Sequence, residues 1–240
     1  MTWTVIASAE ADASGAGTTL DAVASLALLD GDALVCIAKH EGTPSGTFTL
    51  QKDTGSPANA FTFDNFDRVN HTNNDLSGWM GYVLNCAADP TATFRFTTDS
   101  KTFRGFVIYQ CRATAGATIY KDGSNKGQGT GAAAASGTIN AAGTSIVFGC
   151  YCQFANQNLS AREINNVAAD AFQDAGTTDL SLWYRILSAG FTAGAADVTG
   201  DVADAWICNI LALGESTGGM GLPANRIYYT KPYGAGGLRE

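Results

Sequence analysis

The stretch Asp30-Gly-Asp-Ala-Leu-Val-Cys-Ile-Ala38 decides the fold. An Asp-Gly-Asp turn is followed at once by six apolar residues, which is the pattern of a short strand buried on both faces. A similar stretch, Thr144-Ser-Ile-Val-Phe-Gly-Cys150, lies in the second half of the chain. We therefore expect a central β-strand in each half.

The segments that follow these two strands come in the same order in both halves. In the first half, a polar segment leads to the strand Trp79-Met-Gly-Tyr-Val-Leu84, then to a small-residue step and a strand at 103–111. In the second half, a polar segment leads to Leu182-Trp-Tyr-Arg-Ile-Leu187, then to a small-residue step and a strand at 205–213. The order predicts an internal pseudo-repeat over residues 30–113 and 144–213.

The composition favours short strands and tight turns, because the chain holds 28 Gly and only 15% of its residues are charged. Four strands in each half cannot enclose a core, whereas eight can. The sequence therefore predicts an all-β fold, an antiparallel jelly-roll-like β-sandwich of about eight strands. We expect one domain over residues 1–213, with a Gly/Ala-rich loop at 114–143 between the repeats and a C-terminal extension at 214–240.

One segment of the second half has two interpretations. Ser160 and Glu163 have the spacing of a helix capping box, and apolar residues follow at helical intervals as far as Phe172. A short helix over 161–173 is one interpretation, and an irregular strand is the other, since the matching part of the first half alternates Thr and Phe.

Charge and hydropathy exclude two classes of partner. The formal net charge is −8 and the sequence pI is about 4.6, with no cluster of Lys or Arg, so we expect no nucleic acid partner. The N-terminal residues lack the pattern of a secretory signal, and no apolar run approaches the length of about 18 residues that a membrane span needs. We expect neither a membrane partner nor export.

The six cysteines each lie inside an apolar run, which is typical of buried thiols that act as small hydrophobic side chains. Cys150 and Cys152 form a C-x-C pair, for which metal binding is an alternative, and a disulfide between neighbouring strands is another. The two histidines, His40 and His71, are far from this pair in sequence. We expect no metal and no other cofactor.

No catalytic motif is present: the sequence contains no G-x-S-x-G, no GK[ST] and no H-E-x-x-H. Paired carboxylates of the glycosidase type leave no signature that selects a pair from 22 acidic residues. We therefore expect a protein that is not an enzyme.

Two sets of residues are candidates for binding. The Asx-rich segment 63–75 lacks the spacing of a calcium loop and is typical of a solvated loop, with glycan contact or metal binding as its functional alternatives. The candidate glycan contacts are Asp64, Phe66, Asp67, Asn70 and His71. The aromatic tail and the N-terminus either fold back on their own domain or contact another subunit. The candidate interface residues are Trp3, Ile227, Tyr228, Tyr229, Tyr233 and Leu238.

The turn and strand at 30–38, the Trp-led strand at 79–84 and its counterpart at 182–187 resemble the jelly-roll structural proteins of tailed bacteriophage virions. The resemblance covers about residues 30–213 and is one of architecture. It implies a non-enzymatic capsid decoration protein or a tail or fibre component, which forms homo-oligomers with other virion subunits and is assembled in the host cytoplasm. A lectin-like module that binds a host glycan is the alternative, and a glycan-cleaving enzyme is a less favoured one.

Overall fold

The computed structural model describes residues 3–42, 48–52, 61–70, 75–154, 158–176 and 179–217. These residues form eighteen β-strands, and no helix occurs among them. The strands are β1 (Thr4–Ala13), β2 (Gly17–Asp21), β3 (Leu26–Leu28), β4 (Ala33–Glu41), β5 (Phe48–Lys52), β6 (Thr62–Asn70), β7 (Asp75–Val83), β8 (Asp89–Ala92), β9 (Phe94–Arg112), β10 (Ala117–Ala135), β11 (Ile139–Ala141), β12 (Ser145–Gln153), β13 (Leu159–Ile164), β14 (Val167–Ala168), β15 (Ala171–Ala175), β16 (Leu180–Ile186), β17 (Phe191–Gly194) and β18 (Ala196–Thr217). The predicted all-β sandwich is confirmed, with more strands than the eight expected.

The first half of the chain forms one unit around the buried strand β4. Its central sheet has the order β1-β9-β4-β7-β6, and every pair in it is antiparallel. The long strand β9 leaves this sheet at its N-terminal end, where it pairs with β2 and β5 instead. The short strands β3 and β8 pair with each other.

The second half repeats this arrangement strand by strand around β12. Its central sheet places β18 and β16 on either side of β12, with β15 beyond β16 and β10 beside β18. The N-terminal end of β18 pairs with β13, as β9 does with β5, and β11 pairs with β17, as β3 does with β8. The predicted pseudo-repeat is therefore present. That the two units unfold together as one domain stays a prediction.

Each unit has a core of its own, and a third core lies between the units. The first unit's core contains Leu34, Phe94, Phe96, Phe106 and Ile108. The second unit's core contains Val147, Tyr151, Ile164, Trp183 and Ile210. The core between the two central sheets contains Val35, Ile37, Val107, Phe148, Leu182 and Leu211. Because successive side chains along a strand point to opposite faces, each central strand contributes side chains to its own unit's core from one face and to the shared core from the other.

The contacts between the units are reciprocal. Strand β7 contacts β18, and their counterparts β16 and β9 contact each other. Strand β10 contacts β6 at one edge, and their counterparts β1 and β15 meet at the opposite edge. The units therefore pack as the subunits of a twofold-symmetric dimer do, with the same face used on both sides.

Matched hydrogen bonds align the two units residue by residue. The Cys86 N–H donates to Asp32 O (2.7 Å), and the Leu187 N–H donates to Ser145 O (2.8 Å) in the same place of the second unit. Asp32 and Ser145 are therefore equivalent, and counting along β4 and β12 from them gives the other equivalent pairs. Ile37 and Cys150 each lie five residues further on and are equivalent. Ile37 pairs with Val107, and Cys150 pairs with Asn209, so Val107 and Asn209 are equivalent as well.

The predicted loop at 114–143 is wrong, because most of it forms the nineteen-residue strand β10, which pairs along the length of β18. Two of its glycines are required because neighbouring groups lie too close to leave room for a Cβ atom. A Cβ at Gly129 would lie 2.7 Å from the Trp206 ring, and one at Gly127 would meet the backbone oxygen of Ala135. The composition of this segment is typical of a loop, but its small residues form a strand surface against which larger groups pack.

The alternative of a helix over 161–173 is also wrong, because that segment forms β13, β14 and the start of β15. Asn165 and Asn166 have positive φ angles, 53° and 57°, and connect β13 to β14. A two-residue hairpin turn of this kind favours Asn. The predicted extension at 214–240 begins later than expected, since β18 continues to Thr217.

Replacing Asn209 with valine is expected to raise the free energy of unfolding by about 1–3 kcal/mol. Neither amide atom of this fully buried side chain has a hydrogen-bond partner in the part of the chain that the structure describes. Valine fits, because Val107 occupies the equivalent place in the first unit. Urea denaturation measures the gain, and Val107→Asn, the reverse change, should destabilise. A loss of stability in Asn209→Val would contradict the assignment of Asn209 as an unpaired group.

Candidate functional site

The interface residue Trp3, predicted from the sequence, packs inside its own chain. It is 5% exposed and belongs to the core between the two units, at the start of β1. Its contact with another subunit stays a prediction. The other predicted interface residues, Ile227, Tyr228, Tyr229, Tyr233 and Leu238, lie outside the described residues.

The predicted glycan contacts lie on and after β6. Strand β6 carries Asp64, Phe66, Asp67 and Asn70, whose backbone is described and whose side chains lie outside the described part of the structure. His71 also lies outside the described residues. The segment is thus largely a paired strand, and glycan contact there stays a prediction.

All six cysteines are buried, and none of them forms a disulfide bond. Burial raises the pKa of five of the thiols: to about 12 for Cys86, and above the ordinary value for Cys36, Cys111, Cys150 and Cys208. Thiols with raised pKa values are poor nucleophiles at neutral pH. The cysteines therefore act as small core residues, as predicted.

A buried ion pair on β4 lies against the second unit at one end of the shared core. Lys39 Nζ lies 3.3 Å from Glu41 Oε1 and donates a 2.7 Å hydrogen bond to the backbone oxygen of Gln153 on β12. Both charged side chains are buried. Burial raises the pKa of Glu41, which Lys39 opposes and which Asp179 and Asp204 reinforce. The hydrogen bond from Lys39 therefore links β4 of the first unit to β12 of the second.

A second buried polar pair lies in the first unit's core, on the opposite face of β4. His40 Nδ1 and Ser77 Oγ have no hydrogen-bond partner in the described part of the chain, and the two residues are paired across β4 and β7. The His40 ring lies against Trp79, with ring centroids 5.1 Å apart. Burial, with the charge of Lys101, lowers the pKa of His40 to about 4, so the imidazole is neutral at pH 7.

One open cleft, of about 260 Å³, lies at the edge of the second unit, between its central sheet and the strand β13. The cleft is lined by Asn158, Leu159, Arg162, Phe172, Asp174, Ala175, Gly176, Asp179 and Leu180. Gly176 also packs on Asp12, and the Gln173 amide donates to Glu10 Oε2 (2.7 Å), so the edge of the first unit supports the cleft from below.

Arg162 organises this cleft. Its Nε donates to Ser181 Oγ (2.9 Å), its Nη1 to Leu159 O (3.2 Å) and its Nη2 to both oxygens of Asp174 (2.9 and 2.7 Å). The guanidinium also lies over the Phe172 ring, 3.8 Å from the centroid. Since every nitrogen of Arg162 has a partner, the side chain is held in one position.

A β-bulge found in the second unit alone places Arg162. Ser160 pairs with Thr199 and Glu163 with Asp197, so Ala161 and Arg162 stand opposite a single residue of β18. The first unit's β5 pairs with β9 one for one. Ala161 has a φ of 47°, a left-handed conformation that an L-residue adopts at a cost. A bulge of this kind re-aims a side chain, here toward the cleft.

The charge of the cleft is acidic. Asp174 is neutralised by Arg162, whereas Asp201 at the rim is held by the Asn158 backbone N–H (3.1 Å) and side-chain amide (2.8 Å). These hydrogen bonds lower the pKa of Asp201. The cleft thus offers carboxylate oxygens and an aromatic ring, and its cation is already paired.

No sequence pattern points to this cleft, but the Asx-rich segment chosen from the sequence is the first unit's counterpart of the strand that carries Phe172. Phe63 opens the Asx-rich segment and pairs with Gly81, and Phe172 pairs with Trp183. Gly81 pairs with Cys36, and Trp183 pairs with Gly149. Cys36 lies four residues after Asp32, and Gly149 lies four residues after Ser145, so Cys36 and Gly149 are equivalent. Phe63 and Phe172 are therefore equivalent, a match that is visible only once the registers are known.

No protein-family model, curated protein or solved structure matches the chain. Within the described ranges, no three His, Cys, Asp or Glu side chains are grouped so that they would hold a metal ion. None of the same residues forms a helix with the length and hydropathy needed to cross a membrane.

Proposed function

We propose that the chain is a non-enzymatic structural protein of a bacteriophage virion, a capsid decoration protein or a tail or fibre component, that acts through contacts between subunits. The observation that supports this proposal is the pair of repeated sandwich units packed face to face through a shared apolar core. The hydrogen bond from Lys39 Nζ on β4 to Gln153 O on β12 also bridges these units. Such a duplicated block suits a repeated assembly, although sandwiches also serve many other functions.

The C-terminal extension is the proposed contact with a neighbouring subunit. It follows β18 and carries three tyrosines on a Gly-rich backbone. Ordering such a backbone costs about 1–2 kcal/mol per residue, and burying one large apolar side chain returns about 1.5–3 kcal/mol. A few aromatic anchors therefore hold the segment only against a preformed surface, which a neighbouring copy supplies.

Deleting residues 220–240 is expected to abolish self-association and to change the melting temperature by less than about 2 °C. Sedimentation velocity over a range of protein concentrations measures the first effect and thermal denaturation the second. The full-length triple variant Tyr228→Ser/Tyr229→Ser/Tyr233→Ser, which keeps the chain length, should also fail to associate. A full-length chain that stays monomeric at every concentration would contradict the proposal, as would a truncated chain that unfolds.

A further inference from the structure

We propose that the cleft between β13 and β15 binds one uncharged sugar ring. This inference goes beyond the structural role proposed above and does not depend on it. It concerns the edge of the second unit, where the bulge at Ala161 and Arg162 departs from the first unit.

The aromatic wall of the cleft is the first argument. Phe172 is 52% exposed although it lies on a paired strand. The Arg162 guanidinium covers one face of its ring, so we assign the exposed surface to the other face and the ring edge. A fixed aromatic face of this kind packs against the C–H groups of a pyranose ring, and the guanidinium keeps the phenyl group from turning away.

The polar rim is the second argument. The Asp174 carboxylate accepts from Arg162 through both oxygens, and each oxygen keeps a further acceptor site. Such oxygens accept hydrogen bonds from sugar hydroxyl groups. Because Arg162 holds the Asp174 oxygens before any ligand arrives, and Ser181 Oγ accepts from Arg162 Nε and so fixes the arginine, binding costs little reorganisation.

The charge of the cleft selects the class of sugar. Arg162, the one cation among the described residues that line it, is already paired with Asp174. Asp201 stands at the rim, and the chain carries a net charge of −8. An anionic sugar would meet carboxylates without a free cation, so sialic and uronic acids are disfavoured and neutral hexoses fit. The volume of about 260 Å³ is small for a ligand pocket, which suits a single ring.

Saturation-transfer difference NMR with the full chain tests this inference. The probes are glucose, galactose, mannose, N-acetylglucosamine and lactose, at concentrations up to the order of 10 mM, where weak single-ring binding is detectable. At least one neutral sugar should give a signal, and glucuronate and N-acetylneuraminate should give none. No signal from any neutral sugar would overturn the inference, as would equal binding of the acidic sugars.

Variants locate the site. Phe172→Ala should weaken binding of the sugar at least tenfold, and Phe172→Tyr should retain it. The matched control is Phe103→Ala, which removes a ring 40% exposed in the first unit and should leave binding unchanged. Equal binding by Phe172→Ala and the wild type would overturn the inference. Sedimentation of the same variants separates this result from the assembly proposal, because Phe172→Ala should still associate.

Discussion

Replacing Glu41 with leucine is expected to lower the free energy of unfolding by about 3–5 kcal/mol, because it leaves the buried Lys39 ammonium without its counter-ion. The remaining partner of Lys39 is the backbone oxygen of Gln153, which supplies a hydrogen bond but no full charge. The loss should be seen in urea denaturation at pH 7. Glu41→Gln, which keeps an acceptor oxygen, should cost less.

The double variant Lys39→Met/Glu41→Leu is the decisive control. Replacing a buried ion pair as a whole with apolar residues is often close to neutral, so this variant should lie within about 2 kcal/mol of the wild type. The second unit supports this expectation, because Cys152, an uncharged residue, is equivalent to Lys39 and is fully buried. If the double variant is as unstable as Glu41→Leu, packing rather than charge explains the loss.

The single variant Lys39→Met adds a test by pH. Burial raises the pKa of Glu41 above 4.5, and removing Lys39 removes the group that opposes this shift. For a carboxyl group whose folded pKa is raised, the stability contribution is present below the unfolded pKa and is lost as pH rises through the folded pKa. Lys39→Met should therefore lose least stability in acid and most at neutral pH.

The sequence could predict the strands that bury both faces, and it could predict the repeat. The apolar runs at 33–38 and 145–150 are short and bounded by turn residues, so they became β4 and β12 within a few residues. Their shared surroundings then predicted the duplication. Such features depend on local patterns, which one sequence contains in full.

Features that depend on partners distant in sequence could not be predicted in this way. Strand β10 is rich in small residues, and two of its glycines leave room for close contacts: Gly129 for the Trp206 ring and Gly127 for the backbone of Ala135 at the C-terminal end of the same strand. Its composition alone is typical of a loop. The cleft depends on a single extra residue in β13, and no sequence motif predicts such a bulge. The segment at 63–75 was selected for its polar residues, whereas its counterpart in the second unit, which begins at Phe172, contributes a phenyl ring to the cleft. The arginine of the cleft lies on β13, the counterpart of β5.

Replacing Asp32 with alanine is expected to lower the free energy of unfolding by about 3–4 kcal/mol. This fully buried carboxylate accepts hydrogen bonds from the Leu29 N–H (2.9 Å), from Gln110 Nε2 (2.6 Å) and from Arg112 Nε (2.6 Å) and Nη2 (2.9 Å). It thereby ties the turn before β4 to the end of β9, 80 residues away along the chain. Asp21→Ala is the matched control, because Asp21 makes the same two-point contact with Arg95 on the surface and should cost less than about 1 kcal/mol.

The dependence of this loss on pH identifies the charge as its cause. Burial alone would raise the pKa of Asp32, but hydrogen bonds from Arg112, Leu29 and Gln110 outweigh it and hold the pKa below 3.8. For a carboxyl group whose folded pKa is depressed, stability is present above the unfolded pKa and is lost as pH falls through the folded pKa. The difference in unfolding free energy between the wild type and Asp32→Ala should therefore be constant from about pH 5 to pH 7 and should shrink below about pH 4. A difference that stays the same down to about pH 2 would show that Asp32 acts through its shape and not through its charge.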